Sequence, residues 1–287
     1  METRFEQFIK SKQYLLGVTQ NTVQWYRYSL RLLSSEHPSQ EDLDDLVCHL
    51  QETGHKATGV NCVARSINSY LHWSASTSRG RERRCGAGCD HPRIRPLKEP
   101  KVVMPTFTET QIKLLVNWKP KRKYDKRLHL LILFLVDVGC RIGEALKVRV
   151  KDVDLDNLLV TLDGKGQRQR IVPFSVELRR ALYRHISFLK LMPEDLLLGN
   201  RRGTEWPRRN ITRDVRRLCR TFGFEPPART LHAFRHTFAV NYLRRGGSTF
   251  HLQKSLGHTT LEMTRRYANL TTDDLSAVHR QISLLSR

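Results

Sequence analysis

Apolar residues over the first 74 positions recur three or four apart, and turn-forming residues interrupt them at intervals. Phe5, Phe8, Tyr14 and Leu15 have rough helical spacing. Thr19 or Asn21 can cap a second helix striped by Val23, Tyr26, Leu30 and Leu33, and Pro38-Ser39 ends that segment. Leu43, Leu46, Val47 and Leu50 place a third helix over Glu41–Gln51, stopped at Gly54. Thr58 starts a fourth, with Val63, Ile67, Tyr70 and Leu71 in phase. Four short amphipathic helices bury their stripes only against one another, so the pattern predicts a small all-α bundle.

The pattern then breaks. Residues 75 to 105 are rich in Ser, Gly, Pro and Arg and show little periodicity. Eight basic residues against three acidic ones lie between Arg79 and Lys101. An interdomain linker is expected, either a solvated tether or a basic strand lying along a phosphate backbone. Cys85, Cys89 and His91 fall inside it. They could hold a metal with a fourth ligand from elsewhere, or sit in a reduced, flexible loop; no second ligand pair at zinc-like spacing accompanies them.

Periodicity resumes near Thr106. Thr108-x-x-Gln111 reads as a capping box ahead of Ile112, Leu115 and Val116. Leu128–Val138 is apolar nearly all round, which predicts a central core helix. Leu158–Leu162 and Ile171–Phe174 read as short strands, with Asp163-Gly164-Lys165-Gly166 at the hairpin tip. After Val176 the pattern is again mostly helical, ending in a seam of Leu275, Val278, Ile282 and Leu285 behind a capping Thr272. The fold class expected is therefore mainly α with one small β-sheet. Its parts are a helical domain over residues 1–78, a basic linker over 79–105 and an α+β domain over 106–287.

Composition narrows the partners. The 287 residues carry 50 Lys and Arg against 28 Asp and Glu, a formal charge of +22. An excess of this size repels itself unless a polyanion neutralises it, and nucleic acid is the usual one, with an anionic membrane surface second. No run of about 18 apolar residues occurs. The opening METRFEQFIK lacks an apolar signal core. A soluble protein of the cell interior is expected, and the six scattered cysteines do not suggest a disulfide framework.

Five features of the second domain suit the holding and attack of a phosphodiester. Arg141 follows the buried helix, with Glu144 placed to hold its guanidinium. Lys165 sits between two glycines at the hairpin tip. His232 and Arg235 are three apart, on one helix face. His258 follows Gly257, which reads as a helix-ending residue, and Tyr267 lies nine residues further on, behind the capping box Thr259-Thr260-Leu261-Glu262. In-line attack builds negative charge on the non-bridging oxygens, and arginine forks answer it as a metal ion does elsewhere. A phenol, with a pKa of about 10, needs a base or a strongly positive site, and His232 is the candidate base. Lys165 can protonate the leaving 5′ oxygen. Each element is common singly, as a surface arginine, a turn lysine or a packing tyrosine; order and spacing give them weight.

The pattern resembles the tyrosine recombinase, or phage integrase, family, which includes the Xer-type recombinases. The likeness is strongest over Val138–Asp156, Gly164–Phe174, His232–Asn241 and Leu256–Tyr267, and Gly17–Tyr26 is similar to the start of the family's core-binding domain. It implies an N-terminal SAM-like core-binding domain and a C-terminal catalytic domain closing around duplex DNA. Arg141 and Arg235 would clamp the scissile phosphate, and Lys165 would be the general acid. His232 would assist as base and then acid, and His258 would bond a phosphate oxygen. Tyr267 would form a 3′-phosphotyrosyl bond, with Glu144 supporting Arg141. No metal or cofactor is implied. The partners implied are double-stranded DNA with a specific core site and other copies of the chain, four on two sites, exchanging strands through a Holliday junction in a bacterial or archaeal cytoplasm. The terminal seam would dock on a neighbouring protomer or on its own domain.

Two features depart from the family. The 75–105 segment is longer and richer in Cys and Arg than expected, and Arg168 stands where a second lysine is common. With no arm-binding domain ahead of residue 1, a simple core site is expected. A DNA-binding regulator without chemistry, and a relaxing or end-resolving enzyme with the same chemistry, are the alternative readings. Integration, excision, dimer resolution and movement of a mobile element are all compatible with it.

Overall fold

Phe8 is fully buried, and its ring meets those of Tyr26, Tyr70 and Trp73 edge to face at 5.0, 5.5 and 5.6 Å. These rings belong to three of four helices: α1 (Arg4–Lys10), α2 (Gln20–Leu30), α3 (Gln40–Glu52) and α4 (Ala57–Ser78). The computed structural model describes residues 2–78, 91–100, 104–164, 169–200 and 202–258, together with 260, 264 and 267. Leu43 and Leu50 of α3 and Val63, Ile67 and Tyr70 of α4 complete the first core, as their spacing predicts. Tyr14 and Leu15 differ from expectation: they are exposed. A π-helical turn over Ser11–Leu15 follows α1, and its wider winding rotates later residues off the buried face.

The segment expected to be a linker is not a free tether in its described part. Ile94 is buried in the first core. Asn68 bonds both backbone groups of Ile94, at 2.9 and 2.8 Å, and Asn61 does the same for Leu97, at 2.7 and 2.8 Å. A carboxamide offers one donor and one acceptor side by side, so it pairs with an extended backbone as a strand would. Residues 91–100 are thereby part of the N-terminal unit, which spans Met1–Val102; the second unit spans Val103–Arg287. Cys85 and Cys89 lie outside the described residues. His91 lies within them, its ring 6.1 Å from that of His72.

In the second unit, Thr108 and Gln111 form the expected capping box at the start of α5 (Glu109–Val116), with both reciprocal hydrogen bonds present. The core helix α6 begins earlier than its apolar run, at Lys123, and ends at Val138. It buries Leu128, Leu131, Phe134, Leu135 and Val138 against the rest of the unit. A short α7 (Ile142–Ala145) follows, then an antiparallel sheet in the order β1 (Val153–Asp154), β2 (Leu159–Asp163), β3 (Gln169–Pro173). Val160 pairs with Val172 and Asp163 with Gln169, which fixes the hairpin register. The chain continues through α8 (Val176–Leu189), α9 (Arg208–Thr221), α10 (Thr230–Arg244) and α11 (Thr249–Leu256). No helix among the described residues is long and apolar enough to cross a membrane.

Candidate active site

Gly139 ends α6 with φ +65°, and a Cβ there would overlap the Phe238 ring. The turn it makes sets Arg141 at the head of α7. Glu144 accepts the Arg141 backbone N–H and its Nη1–H, both at 2.8 Å. A second guanidinium closes on the same carboxylate: Arg170 donates to Oε1 at 3.0 Å and to Oε2 at 2.7 Å. Burial alone would raise the Glu144 pKa. The hydrogen bonds from Arg170 and from the Arg141 backbone override it and hold the carboxyl at about 2. Arg170 also donates through Nε to the Ser255 carbonyl at 2.8 Å, tying β3 to α11.

Arg235 is a buried cation, 4% exposed, on α10. It donates to the Leu256 carbonyl at 2.7 Å and to the Gly139 carbonyl at 3.3 Å. These carbonyls close α11 and α6, so the charge sits at the negative ends of two helices. Burial, then the nearby Arg141, bring its pKa down to about 10, which leaves it charged at neutral pH. One turn earlier on α10, His232 keeps an open edge toward solvent. Partial burial comes first in lowering its pKa, followed by the positive fields of Arg229, Arg235, Arg141 and Arg208.

Tyr267 packs among Ala239, Val240, Leu252 and Leu256, between α10 and α11, and is 3% exposed. Its hydroxyl lies 2.9 Å from His236 Nδ1. The His258 ring is parallel to the phenol within 7°, centroids 6.1 Å apart, and its Nδ1 is joined to the Thr264 hydroxyl at 2.9 Å. Gly257, at φ +65°, makes the turn that brings His258 there. Burial comes first in holding His236 and His258 down to about 4, followed by His232, Arg235 and Arg229 for His236 and by Arg235, Arg141 and Arg170 for His258, so both are neutral near pH 7.

Five predicted residues, Arg141, Glu144, Arg235, His258 and Tyr267, are joined by contact or by mutual charge, and His232 feels the same guanidinium groups. Lys165 lies outside the described residues, as do most of the Thr259–Glu262 capping box and the terminal seam from Thr272. Thr264 and Tyr267 themselves are helical. Arg170 and His236 escaped the sequence reading, although each left a signal. Arg170 shares the inward face of β3 with buried Val172, an unusual place for a cation. His236 is four residues past His232, on the helical stripe that also carries Arg235. Among the described residues no three His, Cys, Asp or Glu side chains gather as metal ligands. The arrangement can hold an anionic, tetrahedral oxygen cluster between fixed guanidinium forks, with a phenol and neutral imidazoles beside it.

The sequence and the fold also resemble those of known proteins. The tyrosine recombinase XerA of Thermococcus kodakarensis is 26% identical over 277 residues, covering 95% of this chain and 93% of its own length. The solved structure of the Tn1549 transposon integrase with transposon right end DNA superposes with a TM-score of 0.77 at 18% identity, covering 98% of this chain and all of that one. A lambda integrase tetramer bound to a Holliday junction gives a TM-score of 0.67 at 15% identity, over 90% and 76% of the two chains. The Phage integrase family pattern matches residues 105–273, more than half of the sequence. The chain belongs to the phage integrase family.

Proposed function

We propose that this chain is a site-specific tyrosine recombinase that breaks and rejoins duplex DNA through Tyr267. The observation that carries the reading is the placement of the Tyr267 phenol between two neutral imidazoles, in the unit whose guanidinium groups Arg141, Arg170 and Arg235 converge on one carboxylate and two helix ends. Arg141 and Arg235 receive the non-bridging oxygens of the scissile phosphate. The Tyr267 oxygen attacks phosphorus and forms a 3′-phosphotyrosyl bond, and the 5′ oxygen leaves with a proton from Lys165. The phosphoester energy stays in the covalent intermediate, so resealing needs no nucleotide. His258 bonds a phosphate oxygen. Four copies act on two duplexes with a specific core site, by analogy with the tetramer that a distant relative forms on a Holliday junction. The family match, together with the charged groups gathered beside the phenol, favours this reading over a regulator without chemistry.

The test is capture. The full chain is incubated with a pool of nicked duplexes of randomised core sequence, and protein–DNA adducts that survive SDS are recovered and sequenced. Wild type is expected to yield adducts enriched in one core sequence, and Tyr267→Phe none, with DNA binding retained. Equal adduct yield from Tyr267→Phe removes Tyr267 as the nucleophile. Junctions formed between two copies of the recovered site separate recombination from simple relaxation.

A further inference from the structure

Of the two histidines on the α10 stripe that carries Arg235, it is the second that touches the phenol. His236 Nδ1 lies 2.9 Å from the Tyr267 hydroxyl, with the rings tilted at 43° and centroids 5.7 Å apart. That is hydrogen-bond geometry, and the atom contacted is the one that reacts. His232, one helical turn earlier, faces the guanidinium groups and solvent instead. We infer that His236, rather than His232, takes the proton of Tyr267 as the phenol attacks the scissile phosphate, an inference that rests on the recombinase reading above.

The step balances. The Tyr267 O–H bond breaks and its proton passes to His236 Nδ1, giving an imidazolium protonated on both nitrogens. The Tyr267 oxygen bonds to phosphorus. The bond from phosphorus to the 5′ oxygen breaks, and that oxygen takes its electron pair and a proton from Lys165. Rejoining reverses each transfer, and the departing phenolate recovers its proton from His236.

The surroundings explain when this happens. His236 faces its stripe-mates His232 and Arg235, then Arg229 at the head of α10, with Tyr267 bonded to it and His258 close by. Without DNA, burial and these cations keep the imidazole neutral and a poor match for a phenolic proton. A phosphate seated on Arg141 and Arg235 brings negative charge that offsets the same cations. Proton transfer then becomes favourable only once the phosphate is in place, so the nucleophile stays protonated until there is something to attack.

The experiment compares full-length wild type, His236→Asn and His232→Asn on the nicked duplex recovered with wild type, at saturating protein, following covalent adduct formation with time. Asparagine keeps a hydrogen-bonding group near the position of Nδ1 and cannot carry the proton. His236→Asn is expected to bind the duplex normally and to form adduct at least about 100-fold more slowly, with the larger loss of the two variants. A duplex with sulfur as the 5′ leaving atom needs no leaving-group proton, and it should leave this deficit in place; rescue by sulfur would assign His236 to the leaving side and overturn the inference. Adduct formation by His236→Asn within about threefold of wild type overturns it as well. Should His236→Asn fail to bind DNA, the ¹⁵N spectrum of histidine-labelled wild type and Tyr267→Phe decides: an Nδ1 resonance that moves on loss of the phenol supports the contact, and one that stays refutes it. Absence of any adduct from wild type is the distinct result that removes the recombinase reading itself.

Discussion

Arg170 grips both carboxylate oxygens of Glu144, at 3.0 and 2.7 Å, and Glu144 in turn holds the Arg141 side chain at 2.8 Å. The Arg170 and Glu144 side chains are only 11% and 6% exposed. Removing Arg170 strips two charge-assisted hydrogen bonds from a buried carboxylate that keeps its bonds to Arg141, at a cost of about 1.5–3 kcal/mol. Arg170→Ala is therefore expected to lower the melting temperature by several degrees and to slow adduct formation by loosening the carboxylate that positions Arg141. Thermal melting and the nicked-duplex assay measure the two effects. An unchanged melting temperature contradicts the role given to the pair.

Gly139 carries a positive φ and has the Phe238 ring where a Cβ would stand. Gly139→Ala meets both objections at once, and roughly 1–3 kcal/mol of destabilisation is expected from overpacking, with backbone strain added. Because Gly139 also offers its carbonyl to Arg235, cleavage should fall further than DNA binding. Chemical denaturation of wild type and variant measures the first effect, and a midpoint shift near zero contradicts it.

Acid should weaken the second unit in two stages. His236 and His258 sit at about 4 against an ordinary 6.5, so the unfolded chain binds more protons between those values. Their contribution is complete above about pH 6.5 and is lost as pH falls through 4. Glu144 sits at about 2 against 4.5. Its contribution is complete above about pH 4.5 and is lost as pH falls toward 2. Melting temperature followed from about pH 7 down to 3 should decline throughout, and Glu144→Gln should flatten the lower stage. A constant melting temperature between about pH 6.5 and 4 would falsify the neutral-imidazole assignment.

Charge governs binding more than chemistry. With a net +22, affinity for duplex DNA is expected to drop by about 10³ or more between roughly 50 and 200 mM salt. Arg141→Ala and Arg235→Ala should abolish adduct formation while retaining much of that affinity, because backbone contacts elsewhere supply most of it. Fluorescence anisotropy across a salt series measures the slope. A flat response argues against extensive phosphate contact, and full cleavage by either variant removes the clamp role.

The helical stripes, their caps and the positions of the candidate site residues were legible along the chain. Helical stripes such as Leu43 with Leu50 and Val63 with Ile67 are local periodicities, and a stripe must be buried somewhere. Capping at Thr108 and the helix stop at Gly257 are equally local, since they depend on neighbours within one turn. The order Arg141, His232, Arg235, His258, Tyr267 was legible for the same reason: each sits at a fixed offset from a helix end or along a helix face. Tertiary structure decided what those groups touch. Arg170 meets Glu144 across 26 residues of chain, and His236 meets Tyr267 across 31. The 91–100 segment, polar and aperiodic, is held through Asn61 and Asn68 rather than by an apolar stripe. Such pairings depend on how helices and hairpins pack, and spacing along one chain carries no record of the distance between two points that folding brings together.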